Sequence, residues 1–391
     1  MSPGTKAMAA SVSDTQRIVH CFRAPVGGLF RHVRDLAQAQ HDAGNAVGII
    51  CDATIGSAME EKALAATEPY LSLGLKRFPM RRQITPSDIS ATYRALREVR
   101  KLNPDILHAH GAKGGVYARV IGTLLRASGI RVARIYSPHG GSLHYDRGSW
   151  NGRAYLTAER VLQRMTDAFI FVSQFEADAY AAKVGAPDRP AAVVRNGLRP
   201  EEFIPVPPAP DAVDFLFIGA LRDLKGPDLF IEALAAFDGA GGRLPRALIV
   251  GDGEDEPRYR QMVADLGLSD RVAFHEPMPA REAFARAQIV VVPSRAESMP
   301  YIILETIAAG VPLVATRVGG IPEIFGRETD RLVPAGDAMA LFEAMARLDQ
   351  SPDEARRDAE ALRETVQADF SAEAMARAVS AVYRSVTIPN K

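Results

Sequence analysis

Two glutamates eight residues apart, Glu297 and Glu305, bracket the segment Ser298-Met299-Pro300-Tyr301. An apolar run ends near Pro293, and Pro300 suits the first turn of a helix, where its missing N–H costs nothing. Ser298 has the side chain to cap that helix. Unpaired backbone N–H groups and the positive end of a helix dipole are then expected at the carboxyl edge of a sheet, a place where phosphate binds. Glu297 falls in the loop before the helix and Glu305 about two turns further on. Two carboxylates so placed can flank one elongated ligand, one gripping sugar hydroxyls and the other ribose hydroxyls. Standing alone, the segment reads better as a solvated helix start with incidental glutamates.

It does not stand alone. Upstream, Phe215-Leu-Phe-Ile-Gly219-Ala-Leu-Arg222-Asp-Leu-Lys225-Gly226 reads as a strand, a glycine turn and a helix start. Its two cations, three residues apart, can reach one diphosphate and neutralise a departing leaving group. Val250-Gly251-Asp252-Gly253 ends the next strand with residues flexible enough for a base or phosphate to approach. Near the start, Pro25-Val-Gly27-Gly28-Leu follows a strand and opens a helix, weak evidence by itself. His108-Ala-His110-Gly and Ser137-Pro-His139-Gly also follow strands, so their histidines are expected at the edge facing a cleft. His108-x-His110 has the spacing of a metal pair, but its two rings are expected on opposite faces of the strand, which speaks against a metal. Asp252-Gly-Glu254 belongs to a glycine turn, and no Asp-x-Asp metal site is evident.

The elements that must position these residues alternate as short β-branched runs and longer helical segments, the pattern of a parallel α/β fold. Strands are expected at Arg17–Phe22, Ala46–Cys51, Ile106–His108, Val132–Tyr136, Ala168–Val172 and Ala192–Val194. A second set follows at Phe215–Ile218, Ala247–Val250, Arg271–Phe274, Ile289–Val292, Leu313–Ala315 and Arg331–Val333, with helices such as Leu29–Gly44 and Ser87–Leu102 between strands. A proline-rich passage from Pro200 to Pro210 can neither continue a helix nor pair in a sheet. The expected organisation is an unstructured stretch 1–16, one Rossmann-like domain over 17–198, a linker over 199–210, a second such domain over 211–368, and an amphipathic C-terminal helix within 369–391. That length agrees with two cores of about 100 to 200 residues each.

The span from Glu297 to Glu305 resembles the paired-glutamate motif of the retaining glycosyltransferases of family 4, which have the GT-B fold. The resemblance runs from Arg17 to about Arg384 and is densest between Phe215 and Ile324. It implies two Rossmann-like domains facing each other across a cleft, with the last helix returning to the first domain. It implies a nucleoside-diphosphate sugar bound by the second domain, with Arg222 and Lys225 on its phosphates. Many members carry arginine directly after the glycine of that turn, where this chain has Ala220, and Arg222 is the replacement. Gly27 and Gly28 resemble the family's donor-approaching loop, Gly219, Gly251, Ser298, Met299, Pro300, Tyr301 and Glu305 fall in its donor-binding segments, and His139 matches a contact to the donor sugar near the reacting carbon. His110 is expected on the acceptor side, while Glu159, Arg160 and Asn196 occur in family-like contexts with structural or acceptor-side roles. Retention of anomeric configuration comes with the resemblance, commonly explained by attack from the departing face with the leaving phosphate taking the acceptor's proton. No cofactor and no metal are expected. Two rivals differ in their products: a nucleotide-sugar epimerase needs no acceptor, and a non-catalytic binding subunit makes no glycoside.

Bulk composition narrows the partners. Residues 1–200 hold 27 Lys and Arg against 16 Asp and Glu, while residues 201–391 hold 20 against 31. A basic first half points to an anionic partner, such as a membrane surface or a phosphate-bearing acceptor. Lys76, Arg77, Arg81 and Arg82, interleaved with Phe78 and Met80, are the expected acceptor-side or membrane-facing cluster. A lipid-linked or polysaccharide acceptor follows, with no nucleic acid. No apolar run reaches the roughly 18 to 20 residues of a membrane span, and the first sixteen residues lack a signal-peptide core. A cytoplasmic enzyme, at most peripheral to the membrane, is expected. Cys21 and Cys51 sit in strand-like runs as small buried hydrophobes.

Overall fold

The computed structural model describes residues 15–54, 58–81, 86–239 and 244–387. All but the last two residues of the stretch 1–16 lie outside these, as does Arg82. The first half is a seven-stranded parallel sheet of β1 (Arg17–Cys21), β2 (Ala46–Asp52), β3 (Gly74–Phe78), β4 (Ile106–His110), β5 (Ala133–Ser137), β6 (Ala168–Phe171) and β7 (Ala191–Val193), in the order β3-β2-β1-β4-β5-β6-β7. The second is a five-stranded parallel sheet of β8 (Val213–Ile218), β9 (Ala247–Val250), β10 (Val272–His275), β11 (Ala287–Val292) and β12 (Leu313–Ala315), in the order β10-β9-β8-β11-β12. Helices cover both faces, so central strands such as Ile-Leu-His-Ala-His of β4 are buried at every position.

This winding decides where ligands bind. Strand order reverses between β1 and β4 in one sheet and between β8 and β11 in the other. At such a switch point neighbouring loops diverge and open a crevice beyond the carboxyl ends of the strands. At the carboxyl ends of those four strands lie Gly27 and Gly28, which open the helix after β1, His110, which ends β4, Gly219 to Lys225 after β8, and Pro293 to Glu297 after β11. The motifs singled out by their chemistry therefore occupy the crevices that the topology creates.

The halves are tied together behind the crevice. The C-terminal helix Ala372–Val386 returns to the first half, where Met375, Val379 and Tyr383 pack among Ile18, Leu36 and Ile106. Asn196 Nδ2 donates to the Met299 carbonyl at 2.8 Å, and the Phe175 amide donates to Glu323 at 2.9 Å. No described helix is long and apolar enough to cross a membrane.

Two elements differ from the sequence reading. β3 was missed because Gly-Leu-Lys-Arg-Phe breaks the apolar pattern, yet a sheet edge tolerates and even favours charge. Arg331–Val333 shrinks to an isolated bridge between Val333 and Thr316, since Arg331 closes the 3₁₀ turn Gly326–Arg331. β3 also revises the basic cluster. Lys76 lies 3.9 Å from Glu98, Arg77 bonds Glu61 and the Asp52 carbonyl, and Met80 is fully buried, so Met80 is core and no membrane wedge. Arg81 is exposed.

Glu159 and Arg160 are framework residues. Glu159 is buried against Arg119 at 2.9 Å and accepts from Tyr136 Oη at 2.9 Å, while Arg160 donates to the Val184 carbonyl. Removing one partner leaves the Arg119 charge buried without compensation, a loss of about 3–5 kcal/mol. Glu159→Ala is expected to lower the urea midpoint accordingly; an unchanged midpoint would refute the structural role.

Candidate active site

Lys225 and Glu297 meet directly, with Lys225 Nζ 2.6 Å from Glu297 Oε1. The meeting is built into the backbone. Arg222 opens, and Lys225 closes, a 3₁₀ turn after β8, and the Arg295 amide donates to the Leu224 carbonyl of that turn at 2.9 Å. The Arg295 guanidinium adds bonds to the Asp223 carbonyl and to Asp228, both at 2.8 Å. The loops after β8 and β11 are thus laced together, and their charged side chains share one space. Arg222 is exposed and has no ion-pair partner among the described residues.

Glycine makes the Glu297 loop possible. Gly319 holds φ +57°, and a Cβ there would stand 1.8 Å from the Glu297 carbonyl oxygen, so no larger residue fits. Ser294 Oγ donates to the same Glu297 oxygen as Lys225, at 2.7 Å. Glu297 Oε2 makes no hydrogen bond among the described residues and is open to a ligand. A cavity of about 440 Å³ adjoins it, lined by Gly140, His144, Phe175 and Lys183 of the first half and by Glu297 and Arg317 of the second. Arg222, Lys225, Lys183 and Glu297 all act electrostatically on His144, though burial most strongly holds that ring below its usual pKa.

The helix expected to present free amides runs Tyr301–Ala308. It starts one residue later than the sequence reading placed it: Pro300 is extended at φ −76°, ψ 124° and serves as the N-cap. No side chain caps it, so the expectation for Ser298 does not hold and the first-turn amides stay unpaired by a cap. Ser298 instead bonds Glu176. Met299 and Tyr301 are buried in the core, which leaves only their backbones for a donor. Glu305 is not free either: Arg31, on the helix Gly27–Asp42, holds it together with Glu202 and lies 4.5 Å over the Tyr301 ring. Gly27 and Gly28 are exposed at the head of that helix, and Gly28 approaches Tyr301 so closely that a Cβ would stand 3.3 Å from the ring. Gly219 and Gly251 follow β8 and β9, with the Gly219 amide donating to the Val250 carbonyl at 3.0 Å.

The histidines depart furthest from expectation. Residues i and i+2 of a strand share a face, so His108 and His110 lie together with ring centroids 3.9 Å apart, and their assignment to opposite faces was wrong. His20 and His32, which the sequence reading passed over, join them. His20 Nε2 lies 2.8 Å from Gln40 Oε1 and its Nδ1 lies 2.9 Å from His110 Nε2. His110 Nδ1 then lies 3.0 Å from His139 Nε2. His110 is fully buried inside this row. His32 Nδ1 lies 3.0 Å from Asn196 Oδ1, linking the row to the interdomain contact, and its buried Nε2 has no partner among the described residues. Two triads, His20/His108/His110 and His32/His110/His139, bring nitrogens within 4.8 Å of one another, the spacing at which a metal deserves testing. Both ring nitrogens of His20, His108 and His110 are already engaged, so an ion would have to break those bonds.

His139 sits in a strained turn. It has φ +50°, followed by Gly140 at +78° and Gly141 at +30°. A non-glycine residue there costs on the order of 1–3 kcal/mol and persists where surroundings enforce it. Glu176 enforces it, accepting from the Gly140 amide with one oxygen and from the Val172 amide with the other at 2.9 Å. Burial pushes the Glu176 carboxyl up to about 7. A Cβ on Gly140 would stand 2.5 Å from His144 Nε2 and 2.8 Å from Ser298 Oγ, so this turn seats the first half against the Glu297 loop.

Burial lowers the pKa of all five clustered rings, taking His20 and His32 from 6.5 to about 4. A histidine held neutral in the fold binds its proton only on unfolding, so stability is present above pH 6.5 and is lost as pH falls toward 4. Urea midpoints are expected to drop steeply across that window, with a slope that His20→Gln reduces. A flat profile would contradict a buried neutral cluster.

The geometry agrees with what the chain is similar to. Residues 26–202 match the description Glycosyltransferase Family 4, and residues 212–351 match Glycosyl transferases group 1. A D-inositol 3-phosphate glycosyltransferase of Acidothermus cellulolyticus is 33% identical over 204 residues, 48% of this chain and 45% of that protein, so the match spans under half of that relative's length. A Bacillus subtilis protein assigned to teichuronic acid biosynthesis as the glycosyltransferase TuaC is 27% identical over 310 residues, 76% of this chain and 75% of that one. The crystal structure of HepE from Anabaena, in complex with UDP and glucose, superposes with a TM-score of 0.78 at 18% identity, covering 95% of this chain and all of that one. Family matches that divide at the proline-rich passage, two parallel sheets each with a switch point, and a carboxylate–lysine pair at the second of these lead to one conclusion: the chain joins a Glycosyltransferase Family 4 domain over residues 26–202 to a Glycosyl transferases group 1 domain over residues 212–351, in the GT-B fold.

Proposed function

We propose that this glycosyltransferase moves a sugar from a nucleoside diphosphate to a lipid-linked or polysaccharide acceptor in cell-envelope or exopolysaccharide synthesis, with retention at the anomeric carbon and without a metal. The observation that carries the reading is the Lys225–Glu297 pair beside the interdomain cavity. A pyrophosphate entering there draws Lys225 away and competes for its charge, which frees Glu297 to accept from sugar hydroxyls. As the glycosidic bond breaks, negative charge grows on the leaving oxygen. Arg222, Lys225 and the uncapped amides at Tyr301 supply the stabilisation a cation would otherwise provide. His139 meets the sugar near the reacting carbon, and Glu305 takes the ribose while Arg31 orients its carboxylate. The acceptor enters past His144 and Lys183. Its anionic character, and a footing on the inner face of the cell membrane for a cytoplasmic enzyme, rest on the basic surplus of the first half.

A panel of nucleotide sugars scored by released nucleoside diphosphate, with and without chelator, tests the reaction. Turnover that survives chelation is expected; activity abolished by chelation would overturn the metal-free reading. Glu297→Gln is expected to cut kcat by about 10²–10³ while leaving nucleoside diphosphate affinity nearly intact, because its contact is to sugar hydroxyls. Lys225→Ala should instead weaken donor and free diphosphate alike by about tenfold or more, equivalent to one charge-assisted hydrogen bond of about 1.4 kcal/mol or more. Diphosphate affinity unchanged by that substitution would remove Lys225 from the phosphate site.

A further inference from the structure

The protons in the histidine row are ordered by their neighbours. A neutral imidazole has one N–H and one lone pair, so a ring bonded through both nitrogens must donate on one side and accept on the other. His20 and His110 are both so bonded, and burial keeps both neutral. Every proton in the row must therefore point the same way, and the group at its inner end chooses which.

That group is Gln40, which is buried and faces the row with its carbonyl oxygen, Oε1, 2.8 Å from His20 Nε2. A carbonyl only accepts. His20 must carry its proton on Nε2 and offer Nδ1 as a lone pair to His110 Nε2–H; His110 then offers Nδ1 to His139 Nε2–H. His139 is left with a bare Nδ1, for which no bond to the protein appears among the described residues. The other end of the same amide fits this assignment. Gln40 Nε2 donates to Tyr383 Oη at 3.2 Å, Tyr383 lies 2.7 Å from His108 Nδ1 and can donate to it, and His108 Nε2–H then faces Ser137 Oγ at 2.9 Å. Turning the amide over would reverse every proton in both branches at once.

We infer that Gln40, three hydrogen bonds from His139 through the core of the first half, is a positioning residue for glycosyl transfer: it fixes His139 with a lone pair, not an N–H, toward the donor sugar. The inference rests on the proposed contact of His139 with that sugar. A bare nitrogen accepts from a sugar hydroxyl and tolerates positive charge growing on the nearby anomeric carbon, whereas an N–H there opposes it.

Nitrogen-15 NMR of the imidazoles, with His139 assigned through His139→Gln, reads the tautomer independently of turnover. The expected wild-type state is a protonated Nε2 and a bare Nδ1 on His139. Gln40→Leu, close in volume but unable to accept, should mix the tautomers and lower kcat by at least about tenfold, with KM for the donor nearly unchanged. Gln40→Glu, buried and protonated, presents the same carbonyl with an O–H donor beside it and should restore both the tautomer and kcat. Wild-type His139 protonated on Nδ1, or Gln40→Leu keeping both tautomer and kcat, would overturn the inference. Should Gln40→Leu not fold, the wild-type and Gln40→Glu tautomers still decide it. If the tautomers behave as expected but wild-type protein transfers no sugar, the relay stands and the proposed function falls.

Discussion

The proposed donor carries a pyrophosphate, with more charge than any neutral groove can hold out of water, so the proposed site depends on cations and free amides being brought to one place. The bond from the Arg295 amide to the Leu224 carbonyl does this locally, by holding the loops after β8 and β11 side by side. Without that lacing, Lys225 and Glu297 would belong to separate surfaces. Parallel winding does it globally, because only at a switch point do two such loops border the same crevice.

The same constraint explains how the halves are coupled. The groove needs both sheets, yet the linker alone does not set their angle. Contacts from Asn196 to Met299, from Arg31 to Glu305 and from Gly28 to the Tyr301 ring all converge on the helix Tyr301–Ala308 or the turn just before it. The C-terminal helix then crosses back onto the first half and secures them. Movement of one half is thereby felt at the elements that hold the Glu297 loop.

What was legible in the sequence is what repeats or punctuates. Alternating β-branched runs marked six of the seven strands of the first sheet and all five of the second. Glu297, Lys225 and the glycines were visible because loop chemistry after a strand is local. What failed was non-local. Gln40, His20 and His32 are unremarkable on their own elements and acquire a role only when β1, β4 and the first helix assemble. Arg31 could have been noticed as a cation in the first turn of the glycine-loop helix, but its partner lies 274 residues away. His108 and His110, expected on opposite faces, share one because a strand repeats every two residues. Lys76 and Arg77 looked like a free basic patch because an edge strand hides its acidic partners in other elements.

The central claim is that Arg222, Lys225 and the Glu297 loop together receive the diphosphate, and a crystal structure of this chain with bound UDP tests it most directly. The account predicts phosphate oxygens within hydrogen-bond distance of Lys225 Nζ and the Arg222 guanidinium, with Lys225 drawn off Glu297. Diphosphate bound elsewhere, with the Lys225–Glu297 contact unchanged, would contradict it.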